Sequence, residues 1–193
     1  MSLYGVVLFL HILAAVGIVG GSCAEHYVHA RMRRARTVEA LREWTVTART
    51  ISWLMPLFAL TLLLCGIYMT FAHWSWQQPW ILVSLVLLVA ISAGAPLALG
   101  PTERTVGRAA AAGEPLPAII GLLDAPLSSI AGSVFTAEAL AIVLLMAAKP
   151  DLVPTLAIVV VAAAIGAVLG RPGRGRAIAV EPAVEPAASG RSR

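Results

Sequence analysis

Five apolar blocks constrain this chain more than any other feature of its sequence: Leu3–Ala24, Ile51–Ala72, Trp80–Gly100, Pro126–Ala148 and Leu152–Gly170. A helix rises about 1.5 Å per residue, so roughly twenty residues cross a hydrocarbon core of about 30 Å. Composition agrees with that reading. The 193 residues are 59% hydrophobic and 12% charged, whereas a soluble domain is about 45–50% apolar and about 25% charged. A chain this short has too much surface to hide such an excess in a core. A disordered chain, which needs low hydrophobicity and high charge, is excluded as well. The expected fold class is all-α, a polytopic transmembrane helical bundle of five spans over residues 1–170, followed by a disordered cytoplasmic tail, 171–193.

The cations order these spans. Arg31, Arg33, Arg34, Arg36, Arg42 and Arg49 lie between blocks one and two, Arg104 and Arg108 between three and four, and the remaining five arginines after block five. With five crossings, all thirteen fall on one side of the membrane, and only Lys149 falls on the other. Short loops rich in Arg and Lys stay in the cytoplasm, so the N-terminus is expected outside and the C-terminus inside, in the plasma (inner) membrane. The first block has no Lys or Arg before it and reads as a retained anchor rather than a signal peptide. The net charge of +4 does not point to nucleic acid, because no soluble domain presents it.

Local features fit the same picture. Trp74, Trp76 and Trp80 cluster in one short turn and Trp44 and Trp53 bracket the start of the second span, at the interfacial depths tryptophan prefers. Residues Glu25–Thr50 read as helical, with Thr37 as an N-cap and Glu39 spaced to pair with Arg42. Pro56 and Pro96 are expected to bend their spans. Ala118–Ala148 is too long for one crossing, so a short interfacial helix is expected before span four, with Asp124 capping the restart at Pro126. Cys23 and Cys65 read as buried thiols with no disulfide or zinc spacing.

Few side chains interrupt the apolar blocks. His11 lies about 12 Å from the start of span one and Glu138 about 15 Å from the end of span four, at similar depth from the same side. An ionised carboxylate at mid-membrane costs about 2.5–3.5 kcal/mol on insertion scales, so Glu138 should face the bundle interior with a partner. His11 is the natural one by depth. Span one carries Gly17, Gly20 and Gly21, and span four carries Ser128, Ser129, Gly132 and Ser133. Small residues permit close approach, so spans one and four are expected to pack together, or span one to mediate a homo- or hetero-oligomer. A stripe of His11, Ala15, Ser22, His26 and His29 falls near one face of span one.

The segment Tyr4–Gly21, with LFLHILAAVGIVGG, resembles the opening helix of a family of small bacterial membrane proteins, a domain of unknown function. The resemblance continues through Arg49–Gly66 and HWSWQQPWILVSLVLLV and ends with LLMAAKPDL at Leu144–Leu152. It implies a four-helix unit to which the fifth span is added. The opening helix is also similar to those of two haem-associated membrane families, the copper-resistance D type and the protoporphyrinogen oxidase type. In the latter a histidine early in helix one is functional, and His11 is the corresponding position. This implies a cofactor, haem b, bound through His11. That family's companion intramembrane lysine has no counterpart, since Lys149 lies at the edge of its span.

The residues contain no nucleotide-binding loop, metal cluster, haem-attachment motif or nucleophile constellation, and no catalytic residue is singled out. The expectation is a multi-pass membrane protein of unknown biochemical function. Three alternatives stand beside it: a haem b redox protein, a small proton-coupled transporter using His11 and Glu138, and a non-catalytic assembly subunit.

Overall fold

The computed structural model describes residues 2–171, and the tail from residue 172 lies outside the described residues. It holds seven helices: α1 (Leu3–Met32), α2 (Val38–His73), α3 (Pro79–Ala98), α4 (Gly100–Ala112), α5 (Leu116–Leu122), α6 (Pro126–Ala148) and α7 (Leu152–Leu169). No strand occurs among the described residues. Among the described residues, five stretches are long and apolar enough to cross a membrane: α1, α2, α3 continued by α4, α6 and α7. The expected short helix before the fourth crossing is α5. The α4 helix was not foreseen. It ends at Gly113, whose φ of 75° is the left-handed conformation a helix C-terminus commonly takes through glycine.

Local chemistry sets the ends. Ser2 opens α1 by accepting the Gly5 N–H at 3.2 Å, and Thr37 opens α2 by accepting the Ala40 N–H at 3.1 Å, as its sequence position predicts. Asp124 does not cap α6. That helix starts at Pro126 with no side-chain cap, and Asp124 instead stands 3.5 Å from Arg33. Because its ring fixes φ and lacks an N–H, Pro126 fits the first turn without one. Lys149 closes α6 in the left-handed conformation, φ 50°, with its ammonium 4.4 Å from the Trp74 ring.

The α1 and α2 helices form a long antiparallel hairpin. A Cβ at Gly17 would lie 2.7 Å from Phe58, one at Gly21 would collide with Met55, and one at Gly66 would lie 3.5 Å from the His11 ring. Large side chains of α2 thus fill the glycine notches of α1, so these notches serve the hairpin and not span four. The α6 helix packs chiefly on α7 and α3, and only lightly on α1.

The α6–α7 contact is closer still. Gly166 of α7 and Gly170, which caps its C-terminus, lie one turn apart, and a Cβ on either would come within 2.6 Å of an α6 Cα atom, Val134 or Ile130. Backbone meets backbone here, the arrangement that Gly-x-x-x-Gly spacing allows in membranes.

At the arginine-rich end, Val28, Met32, Leu41, Ala48, Val106, Ala109, Ala110, Ile119 and Leu123 form one apolar core. It joins the ends of α1 and α2 to α4 and α5. Two arginines lock it. Arg42 donates to the Ala110 carbonyl at 2.7 Å and Arg33 to the Leu123 carbonyl at 2.8 Å. Both carbonyls belong to helix C-termini, where a cation is favourable. Arg42 therefore spends its guanidinium on α4 rather than on Glu39, and the only ion pair among the described residues is Arg33–Asp124.

The outside of the bundle is apolar. Phe9, Val16, Trp53, Phe71, Val86 and Val160 are all more than 60% exposed, an apolar exterior that water-soluble monomers rarely leave uncovered. Cys65 is buried as expected, while Cys23 faces outward. Hydroxyls within the spans look after themselves: Thr61 and Thr70 donate to the carbonyls of Leu57 and Gly66, each at 2.8 Å.

Candidate functional site

Among the described residues, five polar ones are buried: His11, Thr70, Ser84, Glu138 and Thr155. The hydroxyls of Thr70 and Thr155 bond to carbonyls of their own chain segment. The other three keep a buried atom without a partner: Nδ1 of His11, Oγ of Ser84 and Oε2 of Glu138. A stranded polar group costs about 1–3 kcal/mol, and in a lipid-embedded interior water is not at hand to repair it. Such groups are the natural suspects for function.

Glu138 lies seven residues before Leu145, on the same stripe of α6. Leu145 is fully buried against Trp80 and Ile81 of α3, and on α3 the stripe that carries those two continues to Ser84. The helices run antiparallel, with Gly94 meeting Phe135 farther along. Glu138 and Ser84 therefore share the α3–α6 interface, one to two turns apart. Sequence reasoning found Glu138 because a carboxylate stands out in an apolar block. It missed Ser84, since nothing in the sequence separates this serine from those that bond to their own backbone.

His11 belongs to a different interface. Its ring packs beside Gly66 of α2. No hydrogen bond joins it to Glu138, and the register of α1 on α6 explains why. His26 contacts Thr136 at 2.9 Å. From that level His11 lies about 22 Å farther along α1, while Glu138 lies only about 3 Å farther along α6. Equal distances from the helix ends did not translate into equal height, because the His26–Thr136 contact lies 23 residues from the start of α1 but only 12 from the end of α6. The stripe on α1 is likewise divided, with His11 turned to α2 and His26 to α6. His73 stacks edge-on against Tyr4 at 4.3 Å, near the start of α1.

A second polar group gathers where α1, α2, α4 and α6 meet. Ser52 donates to Glu25 Oε1 at 3.2 Å, and the His29 Nδ1–H donates to the Glu25 carbonyl at 2.9 Å. Thr136 gives its hydrogen to the Gly132 carbonyl at 3.0 Å, so its oxygen accepts from the Nε2–H of His26. Glu103 of α4 is the charge neighbour of both Glu25 and His29. His26 and His29 lie within five residues of Ala24, where the first apolar block ends; Glu25 and Glu103, far apart in the chain, could be joined only by the fold. No three His, Cys, Asp or Glu side chains among the described residues converge as a metal site.

A bundle with an apolar exterior, five crossing-length helices and buried polar atoms in its interior defines a multi-pass integral membrane protein. Residues 5–150 match the family described as "Predicted integral membrane protein (DUF2269)", and the chain belongs to that family. The match ends before α7, the helix that covers α6 through Gly166 and Gly170. No curated protein and no solved structure matches the chain, so the likeness to the copper-resistance D and protoporphyrinogen oxidase types gains no support from these comparisons. The biochemical function of this membrane protein is unknown.

Proposed function

We propose that this protein works as a small proton-coupled carrier of the plasma membrane, with Glu138 as the group that takes up and releases the proton. The observation that carries the reading is the Glu138 Oε2, buried and without a hydrogen-bond partner. A carboxylate kept in an apolar interior without a structural bond is an expensive residue unless its charge changes are used. Ser84 supplies a hydroxyl on the facing helix. Glu138 is carried by α6, which packs against α1, α3 and α7, so a change of charge there acts on a helix at the centre of the bundle's contacts. The test is whether the Glu138 carboxyl exchanges its proton with the bulk in a bilayer.

The proposed orientation places the start of α1 outside and the arginine-rich end in the cytoplasm, following the distribution of Arg and Lys. A reporter fused after Arg193 is expected to read cytoplasmic, and one placed between His73 and Pro79 external. Both reporters on one face would overturn the five-crossing orientation.

A haem b held by His11 is the second reading, favoured by the buried, unpartnered Nδ1. It is the reading that kinship with the copper-resistance D and protoporphyrinogen oxidase types would support, and the visible absorption spectrum of the purified protein decides it. Self-association through span one is left the Gly20 side, where a Cβ would meet nothing within 4 Å, since α2 occupies Gly17 and Gly21.

A further inference from the structure

We propose that the outward face of α2 at Arg49 and Trp53 is a binding site for an anionic phospholipid, with the lipid phosphate on the Arg49 guanidinium and its acyl chain along Trp53 and Leu54. Val46, Arg49, Thr50, Trp53 and Leu54 border a shallow, open groove on this face of α2. Arg49 stands two residues before the apolar block that begins at Ile51, so it lies at headgroup depth. Trp53, 73% exposed, lies one turn deeper, where an indole faces the first carbons of a lipid chain.

The charge at Arg49 is uncommitted. Arg33 and Arg42 are spent on helix carbonyls, and Arg31 lies 5.3 Å from the Trp44 ring, itself stacked on Tyr27. Arg49 makes no ion pair or hydrogen bond among the described residues, and the Thr50 hydroxyl beside it is occupied by the Val46 carbonyl at 3.1 Å. The groove thus offers one free guanidinium above an apolar floor. A guanidinium binds a phosphate in a bidentate fork, and a basic group near the surface attracts anionic headgroups. The site asks for both halves of a lipid, which separates it from a site for free phosphate.

The test uses the full chain purified in detergent, with thermal unfolding followed as phosphatidylglycerol, phosphatidylcholine or inorganic phosphate is added. Phosphatidylglycerol is expected to bind roughly fivefold more tightly than phosphatidylcholine, the size of one arginine's attraction to an anionic headgroup. That preference should shrink as salt is raised. Arg49→Gln is expected to abolish it and Trp53→Ala to weaken binding of both lipids, while Arg108→Gln, on α4, keeps it. Equal affinity for the two lipids, or a preference that survives Arg49→Gln, overturns the proposal. Stabilisation by inorganic phosphate alone, lost in Arg49→Gln, also overturns it by making Arg49 a free-anion site.

Discussion

Gly166→Leu is expected to release α7 from α6 and to cost most of the folded protein recovered in detergent. The reason is backbone proximity. A Cβ at position 166 would stand 2.6 Å from the Val134 Cα and 2.8 Å from the Ser133 carbonyl oxygen, and neither can rotate aside as a side chain would. Overpacking of a yielding core costs about 1–3 kcal/mol; here the helices must separate, which surrenders their whole contact. Gly166→Ala is expected to show the same defect in smaller measure, through a lower melting temperature. Gly20→Ala supplies the contrast, because that site is open and alanine is the better helix former. If Gly166→Leu melts with the wild type, α7 does not lie on α6 as described.

Glu138→Leu is expected to keep the fold and remove the function. Most substitutions at a buried position destabilise. Glu138 should differ, because its Oε2 has no hydrogen-bond partner to lose, and replacing a stranded polar group with an apolar one of similar size is about neutral or stabilising. Leucine fills similar space between α3 and α6. The melting temperature in detergent should therefore equal or exceed that of the wild type. A loss as large as that of a typical buried leucine-to-alanine change, about 2–5 kcal/mol, would show that the carboxylate holds the bundle together.

The parts of this fold that one sequence revealed are those decided by single segments. Length and apolarity located the five crossings, and Thr37 announced the start of α2 because a cap depends on its own neighbours. What depends on partners far away in the chain was not legible. Gly17 and Gly21 signalled a close approach, but not that Phe58 and Met55 would fill it. Gly166 and Gly170, with the same spacing, went unremarked within an apolar run. Arg42 had a nearby carboxylate at helical spacing, yet the C-terminus of α4 offered a carbonyl that no local pattern could show. The site divides in the same way. Glu138 stood out as a charge in an apolar block. Its separation from His11 follows from the height at which α1 crosses α6, and that is fixed by His26 and Thr136, residues more than a hundred positions apart.

Infrared spectroscopy of the protein in lipid bilayers, titrated over roughly pH 5 to 9, the range in which buried carboxyl groups can exchange, tests the role of Glu138 most directly. Subtracting the spectra of Glu138→Gln isolates its band. The account predicts a protonated-carboxyl band that interconverts reversibly with its carboxylate counterpart within that range and is missing from the variant. A Glu138 band that stays in one form throughout would contradict it and leave this residue a fixed part of the α3–α6 interface.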